Sequence, residues 1–309
     1  MEMEAVERFG RLITAMVTPL KPDLSLDLDR AAALARHLVE QGSQALVVAG
    51  TTGESPTLTE AEKLALFRTV KAAVGDSAAV IANTGSNNTA ASVALTRRAA
   101  ELGLDGIMAV VPYYNKPSQE GLYQHFAAIA AATTLPLMLY NVPGRTATNL
   151  AAETVARLAA LPHVIALKEA SGNLEQVTEI LRRAPQLALY SGDDGLTLPM
   201  LAIGAVGVVS VASHVAGPAL LEMIEAYLRG HRLQAMELHL ALADLFRTLF
   251  ITSNPVPVKA ALALVGLAVG GVRPPLAELT AEQREAVARC LREVQPPLWQ
   301  ALPSERVPR

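Results

Sequence analysis

The chain of 309 residues has a single cysteine, Cys290, so no internal disulfide can form, which suits a reducing compartment. It has no basic stripe, and its formal net charge of -3 argues against nucleic acid as a partner. It has no apolar run long enough for a bilayer: AALALVGLAVGGV (260–272) falls short of the roughly 20 residues a spanning helix needs. The opening MEMEAVERFG carries acids and no apolar core, so no secretory signal is expected, and the protein reads as soluble and cytoplasmic with no membrane partner. There is no G-x-G-x-x-G, P-loop or G-x-S-x-G, which leaves dinucleotide binding, nucleotide hydrolysis and serine hydrolysis without motif support. The six histidines form no H-x-x-x-H pair, and with one cysteine neither a metal site nor a cofactor is expected.

What is present is a rhythm. Eight short apolar runs recur along the chain, at 12–18, 45–50, 78–84, 106–112, 136–142, 164–170, 187–193 and 207–213. They are continuous in hydrophobicity rather than alternating, as parallel strands buried on both faces are. The segments between them have helical periodicity, and Thr59 with Glu62 forms a capping box before one of them. Strand and helix repeated eight times is the pattern of an α/β protein of the (β/α)8 TIM barrel type, with a doubly wound sheet as the competing arrangement. From about residue 220 the strands stop. The remainder reads as helices, interrupted by NPVP (254–257) and ending in a segment capped by Thr280 and Gln283. The expected organisation is a catalytic barrel over 1–225 and a C-terminal helical extension over 226–309.

Barrel enzymes place their chemistry at the C-terminal ends of the strands, and the polar residues collect there. Lys168 ends the apolar strand VIAL. Either it is a structural ion pair, with Asp193 or Asp194 on the next strand, or it is an amine held for chemistry. In an apolar cavity the ammonium form is disfavoured, and the free amine can attack a ketone to give an iminium, an electron sink. GTTGE (50–54) is either a turn before a helix N-cap or a carboxylate cradle built from backbone N–H groups and the hydroxyls of Thr51 and Thr52. Tyr113, Tyr114 and Tyr140 follow or end strands, and a tyrosine hydroxyl linked to a threonine hydroxyl shuttles protons. Arg145 lies in a turn. It is either a solvated surface residue or a planar guanidinium that captures a carboxylate. The adjacent Asp193 and Asp194 fit a cap on the helix starting near Leu196.

GTTGESPTL, PYYNKPSQEGLYQHF, LYNVPGRT and LKEASGNL, in this order, resemble the signatures of the dihydrodipicolinate synthase family, part of the pyruvate-dependent class I aldolases. The resemblance covers about residues 10–260. It implies a (β/α)8 barrel with a C-terminal helical region. It also implies a lyase that condenses pyruvate with L-aspartate 4-semialdehyde to 4-hydroxy-tetrahydrodipicolinate, on the way to diaminopimelate and lysine. By the same resemblance Lys168 forms the pyruvate Schiff base. Thr51, Tyr140 and Tyr114 form a proton relay, with Tyr114 supplied by a neighbouring subunit of a homotetramer, a dimer of dimers. Thr51 and Thr52 hold the pyruvate carboxylate, Arg145 receives the semialdehyde carboxylate, and Gly192 and Val209 line the pocket. The alternative is a sister aldolase or dehydratase acting on another 2-keto acid or a sugar acid. Those sisters commonly carry serine where Thr52 stands and lack the arginine of position 145. Position 147 is alanine where the family often has glycine. Asn87 and Tyr113 match positions of the family's lysine-binding regulatory site, but Ala91 and Lys63 stand where lysine-sensitive members have glutamate and histidine. Losing one carboxylate partner of a bound amine removes roughly 1.5–3 kcal/mol, so weak or absent inhibition by lysine is expected. Strong inhibition at sub-millimolar lysine in a steady-state assay would overturn this.

Overall fold

The computed structural model describes residues 2–294. Met1 and residues 295–309, the tail of the expected helical extension, lie outside the described residues. Eight parallel strands, β1 (Leu12–Ala15), β2 (Ala45–Val48), β3 (Ala79–Asn83), β4 (Gly106–Val110), β5 (Leu137–Asn141), β6 (Val164–Glu169), β7 (Ala188–Ser191) and β8 (Gly207–Ser210), close into a barrel in sequence order. β1 pairs with both β2 and β8, which excludes the doubly wound alternative. Each strand ends one to three residues before its apolar run does, because the residues at that end leave the ladder to build loops.

Side-chain alternation sorts the strands into two cores. Ile13, Ala15, Val47, Ile81, Met108, Met138, Ala166, Ala188 and Val209 fill the barrel. Leu12, Leu46, Val80, Ile107, Leu139, Leu167, Leu189 and Val208 point outward into the helical shell. β6 needs a correction to keep this phase. Leu137 pairs with Val164 but Met138 pairs with Ala166, so Ile165 is an extra residue, a β-bulge. A one-residue slip would otherwise turn every later side chain to the opposite face. With the bulge, Lys168 faces inward beside Tyr140.

The N-terminal end of the barrel is closed by the helix Glu2–Phe9. Phe9 is fully buried in the barrel core and Tyr190 donates its hydroxyl to the Gly10 carbonyl at 2.8 Å. Gly106 must lack a side chain there, because a Cβ would come within 2.6 Å of the Phe9 ring. Burying a phenylalanine side chain contributes about 1.5–3 kcal/mol.

The helix after β8, Ser213–Leu228, carries the chain away from the barrel and crosses position 225. Arg232–Thr248, Val256–Leu264 and Ala281–Glu293 follow, the last with the expected Thr280–Gln283 capping box. NPVP separates two helices and also starts the second, with Pro257 in the first turn of Val256–Leu264, where its missing N–H costs nothing. Among the described residues no helix is long and apolar enough to cross a membrane.

Candidate active site

Lys168 is 5% exposed, and its Nζ lies 4.2 Å from the centroid of the Tyr140 ring. Among the described residues no carboxylate stands within ion-pair distance of it, and its amine makes no hydrogen bond. The ion pair considered for Lys168 is absent because both aspartates are engaged elsewhere. Asp193 accepts from the Gly195 N–H at 2.9 Å. Asp194 reaches the β8 loop, where it accepts from the Val211 and Ala212 N–H groups at 3.0 and 2.9 Å and from the Ser210 hydroxyl. Only Asp193 therefore caps the turn at Asp194–Leu196.

Glu169 is the nearest acid in sequence, and strand alternation turns it to the opposite face. There it is buried and accepts from Asn141 Nδ2 at 3.0 Å, the Ser171 N–H at 2.6 Å and Gln176 Nε2 at 3.3 Å. Asn141 in turn accepts from the Leu150 N–H at 3.0 Å. This network fastens β5 to β6 behind Tyr140 and Lys168.

Gly192 follows β7 against the lysine. A Cβ at this position would collide with Ala170 Cβ at 2.7 Å and crowd the lysine stem at 3.1 Å from Lys168 Cε. Val209, in register with Ile13, belongs to the same barrel core as Tyr140.

The GTTGE turn follows β2 and is held from three sides. Thr18, at the end of the first apolar run, donates its hydroxyl to the Gly53 carbonyl at 2.7 Å. Thr52 is buried and accepts a hydrogen bond from Asn254 Nδ2 at 2.8 Å. Glu54, in the left-handed region at φ 57, is buried against Lys259 at 2.5 Å and accepts from the Arg273 N–H at 2.9 Å. Arg273 also donates to the carbonyls of Leu24 and Thr57 and pairs with Glu62. Thr51 is half-buried beside this turn.

Tyr114 and Arg145 are not drawn into the pocket. Tyr114 is 88% exposed at φ 76, and Arg145 is exposed on the short turn Pro143–Thr146 after β5. Neither side chain makes a hydrogen bond among the described residues.

Asn254, Lys259 and Arg273 escaped the sequence reading, as did Asn141 and Glu169. Lys259 carried a signal: in VPVKAALAL it sits among apolar residues, as Lys168 does in VIALK. The partners of Asn254 and Lys259 lie 202 and 205 residues away, and no local pattern announces them. Chemically, the barrel presents a buried lysine without a counter-ion among the described residues, a tyrosine against its amine, and a hydroxyl-bearing turn at another strand end. That combination suits attack of an amine on the carbonyl of a small acid.

The profile of the dihydrodipicolinate synthetase family matches residues 8–294. The chain belongs to this family. It is 59% identical to a 4-hydroxy-tetrahydrodipicolinate synthase of Moorella thermoacetica, over 93% of this chain and 98% of that one. The dihydrodipicolinate synthase of Bacillus anthracis superposes with a TM-score of 0.90 at 49% identity, covering 96% of this chain and 99% of that one. The enzyme of Cyanidioschyzon merolae, solved with lysine bound, superposes with a TM-score of 0.91 at 51% identity, covering 93% and 98%. The family match takes in both the barrel and the helices that hold the GTTGE turn.

Proposed function

We infer that the protein is a lyase that condenses pyruvate with L-aspartate 4-semialdehyde to 4-hydroxy-tetrahydrodipicolinate, through a Schiff base on Lys168. The observation that carries this reading is Lys168, buried at the end of β6 with no carboxylate in reach among the described residues and a tyrosine ring against its amine. A structural lysine so placed would be costly without a partner, whereas a nucleophilic amine must be free of one.

In the proposed reaction pyruvate enters with its carboxylate on Thr51 and Thr52. The Lys168 amine adds to C2, and the ketone oxygen leaves as water to give the iminium. Loss of a C3 proton forms the enamine. Its C3 attacks the aldehyde carbon, forming the C–C bond, and the aldehyde oxygen is protonated. The amine of the condensed product then adds to C2, and Lys168 is released as the free amine. Tyr140, Thr51 and Tyr114 move the protons. Tyr114 is exposed on this chain, so its place in the relay rests on a neighbouring subunit of a homotetramer. Arg145 receives the semialdehyde carboxylate from the exposed rim, and Gly192 and Val209 shape the pocket. The catalytic unit is the barrel, residues 1–225, supported by the helical unit 226–309. The enzyme works in the cytoplasm without a cofactor, and lysine inhibits it weakly or not at all.

The test is borohydride reduction in the presence of pyruvate, followed by peptide mass mapping. A pyruvyl adduct on Lys168 is the expected result. No adduct from folded protein at saturating pyruvate would overturn the Schiff base. Steady-state rates with a panel of aldehydes then decide the second substrate, and a preference for another aldehyde would assign a sister reaction.

A further inference from the structure

Asn254 stands in the loop between the helices Arg232–Thr248 and Val256–Leu264, far in sequence from every strand of the barrel. It is 6% exposed, and its side chain makes one hydrogen bond, from Nδ2 to Thr52 Oγ1 at 2.8 Å. Its Oδ1 is buried without a partner among the described residues. A buried amide usually has its polar atoms satisfied, and each one left over is costly.

The hydroxyl inventory of Thr52 gives the reason. A threonine hydroxyl has one proton and two acceptor lone pairs. Asn254 occupies a lone pair and, as the donor, leaves the proton untouched. Thr52 is itself buried, and among the described residues its hydroxyl finds no acceptor. The turn therefore holds a buried donor with an unmet proton, beside the half-buried Thr51. A carboxylate, which only accepts, is the chemical complement of such a donor.

We propose that Asn254 is a positioning residue for the keto-acid carboxylate: by donating to Thr52 Oγ1 it turns the Thr52 hydroxyl proton toward the bound carboxylate. This rests on the Schiff-base reading above. The helical extension thereby reaches the substrate through one relayed hydrogen bond. The amide has to donate for this to work. An acceptor in its place would take the Thr52 proton and leave a lone pair facing an anion.

The relevant variants are Asn254→Ala, which removes the donor, and the near-isosteric Asn254→Asp, which converts it to an acceptor. Two readouts apply: the pyruvate concentration that half-saturates borohydride trapping, and the KM for pyruvate against kcat. Asn254→Ala is expected to raise both the half-saturation and the KM about tenfold, with a smaller effect on kcat. Asn254→Asp is expected to raise them about a hundredfold, because it adds charge repulsion. In a Thr52→Val background the Asn254→Ala effect is expected to shrink to less than about twofold. Should Asn254→Ala not fold by circular dichroism, Asn254→Ser, a shorter side chain, takes its place. Unchanged half-saturation in the Ala and Asp variants, with wild type trapped normally, overturns the proposal alone. So does an Asn254 effect that persists undiminished beside Thr52→Val. Absence of a wild-type adduct overturns the Schiff-base reading, and this proposal with it.

Discussion

Lys168 and Lys259 are 5% and 3% exposed, yet one stands against a tyrosine ring with no carboxylate in reach among the described residues and the other is bonded to Glu54 at 2.5 Å. Lys259 also donates to the Gly271 carbonyl at 2.7 Å. Burial pushes the Lys259 ammonium down from the ordinary lysine value, and the Glu54 charge pulls it back up. Both lysines end up at the same mouth of the barrel. Lys168 reaches it from β6, and Lys259 reaches it from the helical extension through the GTTGE turn. Burial, then, does not tell a structural lysine from a reactive one. The partners do: a carboxylate and a carbonyl fix Lys259 as a bolt, and among the described residues Lys168 has neither, as the proposed Schiff base requires.

The largest effects should separate the two lysines cleanly. Lys168→Met is expected to lower the condensation rate by roughly a thousandfold or more, while stability changes by less than about 1 kcal/mol. Lys259→Met leaves Glu54 buried without its cation and is expected to cost about 3–5 kcal/mol. Adding Glu54→Gln should recover most of that. Denaturant melts and steady-state rates on the two variants check this. Equal loss of stability from both substitutions would erase the distinction.

The comparison is best made above the range in which buried histidines titrate. His214 accepts the Val17 N–H on Nε2 at 3.1 Å, which requires the neutral ring, and donates Nδ1–H to the Val211 carbonyl at 2.8 Å. Burial holds His214 and His125 down to about 4, below the ordinary 6.5. Between those values the unfolded chain binds protons that the folded chain refuses. Stability is therefore fully present above pH 6.5 and falls as the pH falls toward 4. The loss for His214 is about 3 kcal/mol over the window. Melting temperatures from pH 7 to pH 4.5, in wild type and His214→Asn, measure it, and an unchanged pH slope in the variant would refute this origin.

The smallest effect is a control that touches neither lysine. Ala147 ends the Pro143–Thr146 turn in the left-handed region at φ 54. Ala147→Gly relieves about 1 kcal/mol, and the melting temperature should rise with no change in trapping at Lys168. A fall in stability would mean that the Ala147 methyl packs favourably enough to offset its backbone.

How much of this was legible in the sequence divides along the same line. β6 and its lysine were visible because a strand's period and polarity are local. The eight-fold rhythm, the Thr59 and Thr280 capping boxes and the cluster of polar strand ends were visible for the same reason. The bulge at Ile165 was not, because it exists only in the register between two strands. The helix Glu2–Phe9 passed as a polar start, since its role depends on the open barrel end it fills. The clamp on GTTGE was hidden by distance along the chain. Asn254 read as part of a helix breaker, and nothing near it names Thr52.

The helix under the barrel has one more consequence. With Phe9 and Tyr190 seated at the N-terminal end and side chains filling the barrel, that end of the molecule is shut. A shut floor leaves traffic to the opposite mouth, where the polar strand ends collect. On the proposed Schiff-base reading, both reactants enter and the product leaves on the side of GTTGE, and the keto acid is expected to add before the aldehyde.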